Sequence, residues 1–294
     1  MLGLLLGLAI ALTPMTTAAG AADFADPEPV DIEGYSGHVM EPFLSRDDRI
    51  LMFNDSNAPG ANTDLHWAER LGPLRFRYRG RIEGANSDKL DGVPSMDHNG
   101  NLYFVSLRSL EKSIASVHRG TFDDGRVRDV RLVEGLSRGQ RGMINFDAEI
   151  SADGDLIYAV DGEFKFGPNP WAADIFVARK VGTRFERVPD SDHIMASINT
   201  SALEYAPAIS ADGLELCFTR MTGALLWRKL AVLCAARRSL QEPFGVPQAV
   251  EAISGFVEAP TFSSDGRSLY YHKKVDGLHR IWRVSRPLHV GDRQ

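Results

Sequence analysis

The 294 residues carry 33 Lys and Arg against 39 Asp and Glu, a net charge of −6 with both signs interspersed. That balance excludes nucleic acid and an anionic membrane surface as charge-driven partners. The length is enough for one large core.

The chain opens on Leu2 to Leu12, apolar apart from glycine, followed by Thr13-Pro14 and by Ala19-Gly20-Ala21, an A-x-A-like cleavage site. Residues 1–22 read as an export signal, too short to span a bilayer. No Lys or Arg precedes the apolar run, and no Cys stands at the cleavage site to take a lipid anchor. The expectation is a periplasmic or secreted protein whose residues 23–294 form a single domain, with no integral membrane segment once the signal is removed.

One unit then recurs. Its copies are Pro42 to Phe53, Pro94 to Phe104, Ala148 to Ala159, Tyr205 to Phe218 and Glu258 to Tyr271. Each begins with a short apolar-alternating run and turns at Asp47-Asp48, Asn99-Gly100, Asp153-Gly154, Asp212-Gly213 or Asp265-Gly266. Asx-Gly between two β-rich runs signals a hairpin, because both residues tolerate positive φ. An aromatic and β-branched second run follows, then a third, clearest at Asp174 to Arg179, and a more polar fourth, as at Gly245 to Val250. Four antiparallel strands per unit make a propeller blade.

The anchors Pro42, Pro94, Ala148, Pro207 and Pro260 are spaced 52, 54, 59 and 53 residues apart. Blade one is expected from Glu41 to about Glu83 and blade two to about Leu136, with Ser137 to Gly142 leading into blade three. After the third run of the last unit only Pro287 to Gln294 remain, too few for a fourth strand. Pro29 to Pro42 align without a gap to Pro247 to Pro260. Residues near 29–34 are therefore expected to complete the last blade and close the ring. The predicted fold is all-β: a five-bladed β-propeller with four antiparallel strands per blade, closed by an N-terminal strand.

Cys217 and Cys234 fall in the second and third strands of blade four, which are expected neighbours. Export permits a disulfide between them; the plainer reading, two small buried apolar side chains, is preferred.

The Ser-x-Asp-Gly-x-x-Leu core, preceded by Pro and followed by an Ile-x-x-Ala/Val-Arg-like strand, stands at Pro207 to Phe218 with Val232 to Arg237, and at Pro260 to Tyr271 with Ile281 to Arg286. It resembles the PD40 (TolB-type, WD40-like) β-propeller repeats over almost the whole of residues 23–294. That resemblance implies a propeller used as an extracytoplasmic interaction domain. The chain departs from TolB in having five repeats rather than six and no separate N-terminal α/β domain.

A propeller brings its innermost strands to one channel, and loops on a rigid scaffold carry function. Acids stand near the start of each innermost strand: Glu41, Asp91, Asp147, Glu204 and Glu258. A second set follows the second strands: Asn54, Arg108, Asp161, Arg220, His272 and Lys273. Acids beside arginines form ion pairs or cap loop N–H groups. The same residues could make a ligand-binding mouth, and Asp147, Glu258, Glu204 and Asp91 could be catalytic, since a pair of carboxylates flanking a bond is what glycan cleavage needs. The loop Asp161 to Trp171, with Phe164, Phe166 and Trp171, either walls such a site or packs against the blade edge. Trp67 and Trp282 read as interblade packing. The histidines show no metal-like spacing, and no cofactor fingerprint or nucleophile elbow is present. The leading expectation is a non-catalytic binding module for protein or glycan ligands, without metal or cofactor. The alternative is a glycan-active hydrolase or lyase using the mouth carboxylates. A subunit of an envelope complex is a third reading.

Overall fold

The computed structural model describes residues 23–287 apart from 59, 111, 166, 168 and 224–226, so the expected export signal lies outside the described residues. Two short strands open it, β1 (Ala25–Pro29) and β2 (Asp31–Glu33). Five groups of antiparallel strands follow. The first holds β3 (Met40–Leu44), β4 (Ile50–Asn54), β5 (Leu65–Gly72) and β6 (Arg75–Arg81). The second holds β7 (Asp91–Met96), β8 (Asn101–Ser106), β9 (Val117–Asp123) and β10 (Arg126–Leu132). The third is β11 (Met143–Ile150), β12 (Leu156–Glu163), β13 (Ala172–Val181) and β14 (Arg184–Arg187), followed by a one-turn helix, α1 (Ser191–Ile194). The fourth is β15 (Leu203–Ile209), β16 (Glu215–Thr222), β17 (Lys229–Ala236) and β18 (Gln248–Ala249). The fifth runs β19 (Val257–Phe262), β20 (Ser268–Val275) and β21 (Leu278–Ser285), with β1 on its outer edge. A single parallel bridge, Ala173 to Leu203, joins groups three and four into one sheet.

The hairpin between the first two strands of a group is set by its Ser-x-Asp residues. Ser210 Oγ donates to Asp212 Oδ1 at 2.6 Å, which accepts the Leu214 N–H at 3.0 Å, while Ser210 Oγ accepts the Glu215 N–H at 2.9 Å. Ser263 and Asp265 repeat this geometry, as do Ser151 and Asp153. The acid is consumed by the turn, and Gly213 takes the φ of +72° the turn requires.

Side chains alternate across a strand, so each sheet feeds two cores. In β8, Leu102 and Phe104 pack with Phe43, Met52 and Trp67 of group one, whereas Tyr103 packs with Ile150, Ile157 and Phe185 of group three. The pattern repeats between groups three and four and between four and five. A fifth cluster joins Tyr270 and Ile281 of group five to Leu44, Leu51 and Phe53 of group one. The inner strands touch in the same order: β3 meets β7, β7 meets β11, β11 meets β15, β15 meets β19, and β19 meets β3. Trp67 fills the seam between groups one and two, 5.9 Å edge-on from Phe122, as expected for interblade packing.

Two expectations are corrected. The strand beside β21 is not residues 29–34 but Ala25–Pro29, paired Ala25 to Ser285, Glu28 to Arg283 and Pro29 to Trp282. Val30 still donates to the Ile281 carbonyl at 2.9 Å, but Asp31–Glu33 leave to run parallel to Arg75–Arg77 of β6. The cause is burial: Phe24 packs into the core between groups four and five, and Val30 and Ile32 fill the seam between groups five and one. Pro27 and Pro29 suit an outer edge, where a missing N–H costs nothing.

Cys217 and Cys234 face each other across β16 and β17 and are joined in a disulfide, not left as free thiols. Replacing both by serine should cost about 3 kcal/mol on the loop-closure model. Calorimetry with and without reductant checks this; an unmoved melting temperature in both would show the cross-link contributes nothing.

Candidate functional site

Every innermost strand bulges at the same place, where one extra residue breaks the register with its neighbour. Four of the residues at the bulge, each directly before a proline, lie in the left-handed region: Glu41 (φ 47°), Val93 (53°), Ala206 (50°) and Ala259 (55°). The left-handed region is costly for residues with a Cβ, and proline further restricts the residue before it. Such strain persists only where the surroundings over-determine it. Here each bulge N–H is held by a side chain. Asn54 Oδ1 accepts from Val93 at 3.1 Å, Thr219 Oγ1 from Ala259 at 3.0 Å, and His272 Nδ1 from Glu41 at 3.2 Å. In each case the acceptor lies on the second strand of the preceding group. The corresponding residue in group three is Val160, which cannot accept; Asp147 Oδ2 takes the Ala206 N–H instead, at 3.1 Å.

A prediction follows for Thr219→Val, which matches the shape and removes the acceptor. The buried Ala259 N–H would be orphaned at a cost of about 1–3 kcal/mol. Denaturant unfolding measures it, and a cost near zero would mean the bulge finds another partner.

The expected site residues separate into two sets. Asp91 and Glu204, each three residues before the proline, are fully buried and fully partnered. Asp91 accepts from Arg108 at 2.7 Å and from the Ser87 N–H and hydroxyl at 2.6 and 2.7 Å. Glu204 accepts from Arg220 at 2.7 Å and from the Thr200 N–H and hydroxyl at 3.0 and 2.7 Å. Asp161 is held by Arg138 at 2.6 Å and Arg187 at 2.9 Å. These acids close loops onto strands and do not reach the other carboxylates. Lys273 lies apart as well, its ammonium 5.0 Å above the Trp282 ring.

Glu41, Asp147 and Glu258 do converge, from the inner strands of groups one, three and five, on a cavity of about 690 Å³. Phe146, Phe164, Tyr205 and Asn57 also line it. Phe164 of the Asp161 to Trp171 loop stands 5.9 Å edge-on to Phe146, so that loop walls the cavity at this residue. Trp171 is 62% exposed.

The three acids hold protons differently. Burial pushes the Asp147 carboxyl well above its usual range, and the charges of Glu41 and Glu258 push it further, against the Ala206 N–H. Burial and Glu258 also raise Glu41, opposed by Asn57, whose Nδ2 donates to it at 2.6 Å. Burial would raise Glu258 too, but hydrogen bonds from His272 and Tyr205 outweigh it and hold this carboxyl below the usual range. The His272 ring is wholly buried, with Nε2 3.2 Å from Glu258 Oε2. Burial lowers its proton affinity while Glu258 and Glu41 raise it to a net increase. The Nδ1 nevertheless faces a backbone N–H, which can only donate. The ring is therefore neutral, with its proton on Nε2 directed at Glu258. The Tyr205 hydroxyl donates to the other oxygen of the same carboxylate.

Tyr205 and Asn57 were not expected here. Tyr205 had a signal: it stands two residues before Pro207, as Glu258 stands two before Pro260. Asn57 had none, because it comes from the irregular loop after β4.

No known family profile matches the chain, and no curated protein does. Solved structures do. BT0996 in its RGII complex is 12% identical over 93% of each protein, with a TM-score of 0.58. Zg3597, a family 117 glycoside hydrolase of the marine bacterium Zobellia galactanivorans, is 12% identical over 91% of each chain at 0.55. The catalytic domain of the Coprinopsis cinerea GH62 α-L-arabinofuranosidase is 8% identical over 91% of this chain and 98% of that one, at 0.54. At these identities the likeness is one of fold. TolB structures are also similar, at a TM-score of 0.42 that carries no argument.

Proposed function

We propose that the chain is a glycan-active hydrolase built on a closed five-bladed propeller, with Asp147 as general acid and Glu258 as general base. The observation that carries this reading is the convergence of three inner-strand carboxylates with opposed proton affinities on one cavity. Paired environments that push two carboxyls apart are how an acid and a base are assigned at one pH. The buried Asp147 keeps the proton that a departing glycosidic oxygen needs. Glu258, fixed as a carboxylate by His272 and Tyr205, accepts a proton from the attacking water. Water then supplies the hydroxyl to the sugar carbon as the C–O bond breaks. Glu41 keeps the Asp147 proton in place by its charge.

The cycle of inner-strand contacts and the core cluster between groups five and one support the closed wheel of five. Two of the similar structures are of glycoside hydrolases, which supports the substrate class. The disulfide suits an exported protein, and no helix among the described residues is long and apolar enough to cross a membrane. The test is hydrolysis of a panel of aryl glycosides and plant and algal oligosaccharides. Release of reducing sugar by the parent and its loss in Asp147→Asn and Glu258→Gln is the expected result. Tight binding of an oligosaccharide by the parent without any cleavage would instead establish the non-catalytic binding module.

A further inference from the structure

A second cavity of about 470 Å³ adjoins the first and shares Asn57, Phe146, Tyr205 and Glu258 with it. Its charge is the reverse. The first is lined by Glu41, Asp88, Asp147 and Glu258 with one cation, Lys89. The second, among the described residues, has Glu258 as its only acid and is lined by Arg228, Lys274, His38 and His279. Arg108 and Arg220 are already paired with buried acids. Arg228 and Lys274 are not: both are exposed, and among the described residues neither meets a carboxylate. The Lys274 ammonium stands 6.0 Å from the centre of the Phe256 ring, itself 47% exposed.

The two histidines add polar atoms with defined roles. His38 Nδ1 lies 3.3 Å from the His279 backbone N–H, so it accepts, and His279 Nδ1, at 3.1 Å from it, must carry the proton. Burial above all brings the His279 ring down to about 4, so it is neutral. Its Nε2 is thus a bare acceptor, buried and with no partner among the described residues.

Two cations with no carboxylate partner among the described residues, beside an exposed aromatic face, form a place for a sugar ring that carries a negative group. Cations recognise carboxylate and sulfate oxygens through charge-assisted hydrogen bonds. We infer that this cavity is a subsite for an anionic sugar, a uronate or a sulfate ester, next to the sugar whose bond meets Asp147 and Glu258. The inference rests on the hydrolase reading for the position of the cut but not for the binding itself.

The test uses full-length Asp147→Asn, so that cleavage plays no part. Calorimetric titrations with oligogalacturonate, sulfated galactan oligosaccharide and neutral xylo-oligosaccharide compare it with the triple variant that adds Arg228→Met and Lys274→Met. One of the two anionic probes is expected to bind and to lose at least about tenfold in affinity in the triple variant. That binding should weaken with added salt. The responding probe tells uronate from sulfate. Equal or tighter binding of the neutral oligosaccharide, unchanged affinity in the triple variant, or no binding of any probe would overturn the subsite. An anionic probe that binds as described while the parent enzyme cleaves nothing would uphold the subsite and reject the hydrolase.

Discussion

Asp147→Asn is expected to lower hydrolysis by about 10²–10⁴-fold, the usual contribution of a general acid. The substitution isolates the proton. Asn keeps an oxygen that can accept the Ala206 N–H, now held at 3.1 Å, so the bulge of β15 stays capped. Ala would lose both the proton and the cap and confuse the two. The sign of the stability change is an independent check. Asp147 binds its proton more tightly folded than unfolded, because burial disfavours the charge. Its contribution to stability is therefore complete below the ordinary carboxylate range and is lost as pH rises through the raised value. Asparagine does not titrate, so the variant's melting temperature should fall less than the parent's as pH rises above the ordinary carboxylate range. In the active parent, turnover should fall on the alkaline side as Asp147 ionises and on the acid side as Glu258 takes a proton. Full activity in Asp147→Asn would remove this residue from the chemistry; an unfolded variant would show that its role is scaffold.

Arg220→Met should cost about 3–5 kcal/mol, the penalty for leaving a buried charge without its partner. Glu204 is fully buried, and its carboxylate accepts from Arg220 Nε at 2.7 Å. Arg220 also donates to the Ile198 carbonyl at 2.7 Å, tying the loop after α1 to β16. Methionine keeps much of the side chain's packing near the Phe218 ring, 5.4 Å from the guanidinium carbon, so most of the loss is electrostatic. The double variant with Glu204→Gln should recover a large part of it, since the lone charge is then gone. Urea unfolding of the two single variants and the double variant measures the coupling. A loss below about 1 kcal/mol for Arg220→Met would mean that water, not the arginine, stabilises Glu204.

The repeat was legible because it is written in local chemistry. Ser-x-Asp-Gly makes its own turn from hydrogen bonds between near neighbours in the chain, and alternation along each run assigns its faces. The closing segment was placed a few residues late because Phe24, Val30 and Ile32 choose their positions by fitting seams between sheets. Alignment to Pro247–Pro260 has no access to that fit. Among the acids, residue type did not separate Asp91 and Glu204 from Asp147 and Glu258. Position relative to the bulge did: three residues before the proline an acid meets an arginine, and one or two before the proline, or before Ala148 in group three, it points to the shared cavity.

Taken alone, the sequence determined an all-β chain of five similar units, the turn between the first two strands of each unit and the five candidate acids, because strand, turn and repeat depend on residues close together in the chain. The tertiary structure decided which acids meet, which are paired away, that the cysteines are bonded, and that Arg228 and Lys274 stand near Glu258 with no carboxylate of their own among the described residues. Those outcomes depend on side chains from separate sheets approaching within a few ångströms, and on the loss of water around them, neither of which is encoded in local spacing.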